Sequence, residues 1–404
     1  MTDTLVLHDP LTYERGFPHE YFRELRANDP VSHQEHPKWE RGYWVLSRHA
    51  DVQRVSRDSA TFHNAPNPFF EAAADDDQSG TEALLISLDA PEHLKLRKLI
   101  NRGFTPKRVA DLTGRIRARV DSIIDALADR NGCDLVNDLA LWLPLHVIAD
   151  LVGVPEADRR QVFEWTELTF GFDPAVTPEQ RQAAAIAMYT YADAMCVDRQ
   201  DNPRDDLMSV LLHAEVDGER LTQLQIDLFF MLLQNAGSET TRNLITSGTV
   251  ALLDHPDQLA RLRADAALMP TAIEELLRYV TPVIQFTRTA VIDTEVGGEQ
   301  IREGDRVVMV YSSANRDERA FDDPDGIDIA RQPNEHVAFG AGGPHFCLGA
   351  SLARLEATVM FDAILNRFEG LAVDGDPDTF PRVHSNLIDG FAHLPIRWDS
   401  VRGG

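Results

Sequence analysis

Cys347 closes a run with three glycines and a proline, Phe339-Gly340-Ala341-Gly342-Gly343-Pro344-His345-Phe346-Cys347-Leu348-Gly349, and the pattern ASLARLEATVMFDAILNRF that follows it is helical. A loop of that composition is rigid and lets the backbone approach a flat ligand closely, and it delivers the sulfur to a helix N-terminus. Amides there favour a thiolate over a thiol, so Cys347 is suited to be an anionic ligand or a nucleophile. An ordinary intracellular cysteine is a small buried hydrophobe; Cys133 and Cys196, which lie in no such loop, carry no comparable signal.

A second constellation interrupts the long apolar stretch 221–255. Ala236-Gly237-Ser238-Glu239-Thr240-Thr241 puts a helix-weakening glycine, hydroxyls and a carboxylate where apolar residues are expected, at a cost in stability unless the group serves something. A hydroxyl that holds water beside a carboxylate can relay protons; a solvated turn between two shorter helices is the alternative. Third, Glu275 and Arg278 are three apart in TAIEELLRYV and share a helix face, a pair of little value if it lies on the surface.

The cysteine loop resembles the haem-binding loop of the cytochrome P-450 family, whose pattern FxxGxxxCxG is met at Phe339, Gly342, Cys347 and Gly349. Gly342 stands one residue before its usual place; the interval from Phe339 to Cys347 is one residue longer than the shortest form, and Gly343 fills the strict position counted back from Cys347. The resemblance implies haem b, iron protoporphyrin IX, with Cys347 as its axial ligand and Phe339, Gly340 and Gly349 around it; thiolate ligation of haem iron is a known arrangement of that family. The central segment resembles the family's AGx(D/E)T motif, which implies that Ala236 and Gly237 line the haem where the helix opens, and that Glu239 and Thr240 relay protons to dioxygen. The ExxR motif matches at Glu275 and Arg278, with Arg331 nominated as the arginine that docks on the pair, although PDGIDIAR departs from PxxFDxxR at Gly326 and Ile327. His93, Arg97, Arg288 and His345 match family positions that hold the haem propionates, carboxylates that need cationic donors.

The elements that must position these groups are mostly helical. From about residue 107 apolar residues recur at three- and four-residue intervals, as in 109–130 and 139–153, and the segment 221–255 as one helix would run ~50 Å. Strand-like alternation is confined to YWVLS near 45, 289–301 with its Gly-Gly turn, 305–311 and HLPIRW near the end. The stretches 63–83 and 317–346 read as irregular. Without an internal repeat or a Ser/Gly-rich linker, a single catalytic domain over 1–404 is expected, mainly α with small β-sheets. The resemblance implies the cytochrome P-450 fold, with a long central helix over the haem and the cysteine loop on its opposite face.

Composition narrows the function. With 39 basic and 65 acidic residues the net charge is −26, which argues against broad binding to nucleic acid or anionic membranes. Three cysteines without CxxC spacing exclude a disulfide framework and a clustered-cysteine zinc site. The N-terminus lacks the features of a signal peptide and no apolar run reaches bilayer length, so a cytoplasmic monomer without a membrane anchor is expected. Against the acidic whole, the interval 95–119 carries Lys95, Arg97, Lys98, Arg102, Lys107, Arg108, Arg115, Arg117 and Arg119 with one acid, Asp111. It reads either as a solvated helix face or as a docking site for an acidic electron carrier.

The expectation is therefore a haem-thiolate monooxygenase that hydroxylates a hydrophobic small molecule, steroid, lipid or terpenoid-like, with dioxygen. No GxGxxG follows a strand, so electrons come from another protein; ferredoxin and ferredoxin reductase are the partners the resemblance implies. AGSETTRN and SANRDE look most like actinobacterial members that oxidise such substrates. By analogy the pocket is lined by Phe69, Phe70, Leu85, Phe170, Leu233, Ala236, Val283, Phe286 and Leu387. The alternatives are a peroxide-driven haem oxygenase, whose known relatives usually lose the acid–alcohol pair present here, a non-catalytic haem carrier or sensor, which needs no proton relay, and a cysteine hydrolase using His336 or His345.

Overall fold

In the computed structural model, residues 5–70, 83–171, 175–216 and 218–403 are described. The stretch read as irregular at 63–83 lies for the most part outside them. Within the described residues the chain is mainly α with small sheets.

The organising element is one continuous helix, Gln223–Leu253. Its start is fixed by a capping box: Thr222 accepts from the Gln225 amide while the Gln225 side chain accepts from the Thr222 amide. The helices Trp142–Val152, Pro178–Asp201 and Ala350–Arg367 pack around it, which is why most of its length is buried. The segment Leu135–Val152 is long and apolar enough to cross a membrane, but 67% of it is buried inside the protein, as a core helix would be.

The five-stranded sheet runs in the order Val31–Gln34, Tyr43–Leu46, Arg306–Val310, Gln285–Ala290, Phe62–His63. Its central strand pairs parallel with one neighbour, Arg306 opposite Tyr43, and antiparallel with the other, Val308 opposite Thr287. All five of its residues are buried, in keeping with the near-continuous apolar run of a strand covered on both faces. The sheet's polar edge strand VSHQ escaped the sequence reading because its alternation is not apolar. Gly297 and Gly298, both with positive φ, make the predicted turn between Thr294–Val296 and Glu299–Ile301.

Candidate active site

The cysteine loop is held by short backbone contacts and by a clamp from far away in sequence. The Cys347 amide donates to the Phe339 carbonyl at 3.0 Å and the Phe346 amide to Gly343 at 3.2 Å. Gly340, Gly342 and Gly343 have φ of 85°, 97° and 84°; at Gly343 a Cβ would also stand 2.4 Å from the Ser56 carbonyl oxygen, so only glycine fits. Ser56 Oγ donates to the Gly342 carbonyl at 2.9 Å and Arg57 Nε to Ala341 at 3.1 Å, both from the helix His49–Arg57. Phe339 lies under the Arg354 guanidinium, 4.5 Å from its ring centroid, and Arg354 is fixed in turn by Glu274 at 2.6 and 2.7 Å. Arg354 and His336, also on Glu274 at 3.0 Å, hold the Glu274 carboxyl down to about 2.

Cys347 is partly accessible, with protein packed densely around its thiol. The Gly349 and Ala350 amides, Arg97 and Arg354 all favour the thiolate, yet burial outweighs them and raises the thiol's proton affinity in the bare protein. The amides at the helix N-terminus thus act in the expected direction, and a cationic metal is what would complete the balance against burial. Cys133 and Cys196 are buried and pushed up to about 12, in each case mainly by burial.

His93, Arg97, Arg288 and His345 converge beside the loop. Arg97, on the helix Glu92–Ile100, donates to the Phe346 carbonyl at 2.6 Å; the His93 and His345 rings lie 4.0 Å apart. Burial, reinforced by the two arginines, drives His93 down to about 4 and His345 to about 2. Arg288 is 4% exposed and donates to the Thr287 carbonyl at 2.8 Å. Only Asp89, 4.0 Å from His345 and already accepting from the Asn64 and Ala65 amides, stands against this positive cluster among the described residues. His93 Nδ1 is buried without a partner. Two arginines and two neutral imidazoles, with the His93 Nδ1 unpartnered, form a donor-rich site of net positive charge that fits an anionic group, and beside the Cys347 thiol it fits haem with its two propionates.

On the central helix, Ala236 is exposed and Thr240 partly so, although Ser238, Glu239 and Thr241 are buried; accessible space therefore reaches the helix at its middle. The helix does not open there. Its polar residues are accommodated by back-bonding, Thr240 Oγ1 to the Ala236 carbonyl at 2.9 Å and Ser238 Oγ to Gln234. Neither the turn between shorter helices nor the opening implied by the resemblance is found. Gly237, expected to line the cofactor, also permits close packing: a Cβ would sit 2.4 Å from Ile148 Cδ1 of the helix Trp142–Val152. Glu239 is 5% exposed and paired with Arg242 of the same helix, and burial pushes its carboxyl up to about 7.

Glu275 and Arg278 are wholly buried, not a surface pair. Arg278 binds Glu275 with two bonds of 2.8 Å and donates to the carbonyls of Asn315, Pro324 and Gly326. Arg331 Nε reaches both oxygens of Glu275 at 3.0 and 3.1 Å, and Asn334 adds a bond at 3.1 Å. Asn315, in turn, accepts from the Val337 amide at 2.7 Å, two residues before Phe339. One carboxylate thus pins the irregular segment that leads into the cysteine loop.

The nominated pocket residues divide. Phe69 and Phe286 rings meet at 5.7 Å, and the Val283–Ile388 bridge and the Ile284 to Leu387 backbone bond bring 283–286 and 387–388 together. Leu85, Phe170 and Leu233 pack in or against the largest apolar cluster. Phe70 departs from expectation: its ring sits among His8, His36, Trp39 and Tyr43 in a separate N-terminal core. In the basic interval, Lys95 pairs with Glu219, Arg108 approaches Asp205 and Arg119 pairs with Glu156. Arg102, Lys107, Arg115 and Arg117 are exposed and make no ion pair among the described residues. His336 is committed to Glu274 and the Ala338 amide, and His345 to His93, which removes the support for a cysteine hydrolase.

A family model described as Cytochrome P450 matches residues 172–387. A steroid C26-monooxygenase of Rhodococcus jostii (strain RHA1) is 40% identical over 405 residues, covering 98% of this chain and 85% of that protein. A methyl-branched lipid omega-hydroxylase of Mycobacterium tuberculosis (strain ATCC 25618 / H37Rv) is 40% identical over 368 residues, covering 88% and 84%. Among solved structures, cytochrome P450 CYP109Q5 from Chondromyces apiculatus matches with a TM-score of 0.89 at 34% identity, covering 98% of both chains. CYP109E1 from Bacillus megaterium in complex with corticosterone matches with a TM-score of 0.84 at 32% identity, covering 95% of this chain and 98% of that one.

Proposed function

The chain belongs to the cytochrome P450 family and is a haem-dependent monooxygenase, and on that premise we propose that it hydroxylates a steroid or a methyl-branched lipid with electrons from a ferredoxin. We read 1–404 as one catalytic unit, a cytoplasmic monomer. The observation that carries the site assignment is the Cys347 thiol beside the buried His93 and Arg288 and the partly buried Arg97 and His345, a group that lacks enough anionic charge of its own.

In this reading Cys347 ligates haem b, and Arg97, Arg288, His93 and His345 hold its propionates. When bound, the haem supplies the iron at which dioxygen is reduced, so that R–H, O2, two protons and two electrons give R–OH and water. The residues of the chain do the rest. Thr240 holds water at the exposed turn of the central helix, its hydroxyl able to leave the Ala236 carbonyl for it. Glu239, with a carboxyl that titrates near neutrality, takes protons from solvent and gives them up at that turn. Phe69, Val283, Phe286 and Leu387 form an apolar wall that orients a hydrophobic substrate and excludes bulk water. A steroid or lipid is favoured by that wall and by the named activities of the relatives at 40% identity.

For the partner, the exposed Arg102, Lys107, Arg115 and Arg117 lie on segments of which Pro106–Asp111 and Thr113–Asp125 pack against Ala350–Arg367, the helix that begins three residues after Cys347. A basic face on the cysteine side suits an acidic ferredoxin. The deciding experiment supplies sterols and methyl-branched fatty acids to the holoenzyme with a ferredoxin and its reductase under 18O2. One labelled oxygen per product is expected, and Thr240→Ala should consume electrons while product falls and peroxide rises. Unlabelled product, or turnover supported by peroxide alone, overturns the reading in favour of a peroxide-driven oxygenase.

A further inference from the structure

Glu239 is not an isolated carboxyl. One turn along the central helix, the Arg242 guanidinium binds it through Nη2, and the other arm, Nη1, stands 3.9 Å from Glu167 Oε2 on a different helix, Arg159–Phe170. The two ends of this bridge differ. Glu239 and Arg242 have side chains 6% and 9% exposed, whereas Glu167 is 40% exposed. Arg242 Nε is buried with no partner, so the guanidinium is not saturated by Glu239 and has a donor to spare when it shifts. Arg242 and Glu167 are the charged groups that act on Glu239 among the described residues, the first stabilising its carboxylate and the second opposing it.

We propose that Arg242 is a positioning residue shared between Glu239 and Glu167, so that Glu167, through the placing of the helix Arg159–Phe170, governs how fully Arg242 neutralises Glu239. When Glu167 comes within bonding distance it draws the guanidinium away and adds its own negative charge near Glu239, and the protonated carboxyl is favoured. When Glu167 recedes, Arg242 belongs to Glu239 alone and the carboxylate is favoured. The helix Arg159–Phe170 packs on Pro178–Asp201 and touches the central helix; its end carries Phe170, nominated for the substrate pocket. A substrate that displaces this helix would therefore change the proton affinity of Glu239 without touching it. The inference rests on the reading of Glu239 as a proton donor for its consequence in turnover, but not for its geometry.

The test uses the resting holoenzyme. The protonated-carboxyl band of Glu239 is titrated by infrared difference spectroscopy and identified by its loss in Glu239→Gln. Glu167→Gln should move the titration to lower pH by roughly half a unit to one unit and Arg242→Gln to higher pH by about one to two units, the range for a neighbouring charge. Glu167 is on the surface, so its variant folds, and a titration that Glu167→Gln leaves in place overturns the proposal whatever Arg242→Gln does; a downward shift in Arg242→Gln overturns it as well. Turnover of Glu239→Gln is measured alongside. Full-rate turnover with shifted titrations removes the proton-donor reading and leaves the sharing of Arg242 standing, whereas slowed turnover with an unmoved titration in Glu167→Gln does the reverse.

Discussion

Substituting Glu275 by glutamine keeps its shape and removes one negative charge from a site with no solvent. The carboxylate is 0% exposed and accepts from Arg278 twice, from Arg331, from Asn334 and from the Asp328 amide. Two guanidinium groups, one wholly buried and the other 12% exposed in its side chain, would lose their counter-charge. Removing one partner of a buried pair costs about 3–5 kcal/mol, a large share of the ~5–15 kcal/mol that keeps a protein folded. The surface pair Arg160–Glu164, at 91% and 51% exposure, is an internal control; a helical pair of that kind contributes about 0.3–0.5 kcal/mol. The expected ratio is thus roughly tenfold. Urea unfolding of the two variants, followed by far-ultraviolet circular dichroism with haem occupancy measured on the same samples, compares them directly. Glu275→Gln should lower the midpoint several times more than Glu164→Gln, and haem should be lost before the helices melt, because the carboxylate pins the segment leading to Cys347. Equal shifts in the two variants would refute the argument that this network anchors the cofactor loop.

Cys347→Ala should abolish the red-shifted band of the ferrous carbon monoxide adduct while Cys133→Ser and Cys196→Ser preserve it; loss of the band in either of the latter with its retention in the former sinks the ligand assignment. Glu356 is buried, has an oxygen without a partner and is pushed by burial up to about 8 from an ordinary 4.5. The folded state therefore binds more protons than the unfolded one between those values, and stability falls as pH rises through that window; Glu356→Gln should flatten the decline of the melting midpoint between pH 5 and pH 9, and an unchanged decline counts against a neutral Glu356. Arg102→Glu and Arg115→Glu should slow reduction by a ferredoxin in stopped-flow measurements and flatten its salt dependence with haem content intact, and unchanged association rates return those residues to a solvated face.

What the sequence disclosed were groups whose meaning is local. The three-residue spacing of Glu275 and Arg278 gave their common face, and the glycines before Cys347 gave a tight loop at a helix start. Partners that meet only through folding stayed out of view. Glu274 adjoins Glu275 yet turns to Arg354, 80 residues on, and Arg242 approaches Glu167 across two helices. Gly237 illustrates a different gap: its motif suggests a cofactor contact, and the close approach of Ile148 to its missing side chain could not be read from it. The amide dipoles that act on Cys347 can be read from its motif, whereas the desolvation that outweighs them cannot. Phe70 could not be separated from Phe69 because adjacent apolar residues on an irregular segment have no periodicity to tell their faces apart.

The clamp on the cysteine loop has a consequence for how the protein is made. Ser56 and Arg57 grip carbonyls 286 and 284 residues further along the chain, and Arg97 reaches one 249 residues on. During synthesis the N-terminal helices therefore wait with their gripping side chains unmatched until nearly the whole polypeptide has emerged, since contacts of such separation close last. On this ordering haem capture is a late step, and a chain stalled just before residue 347 would already carry His93, Arg97, Arg288 and His345 with the thiol still to come.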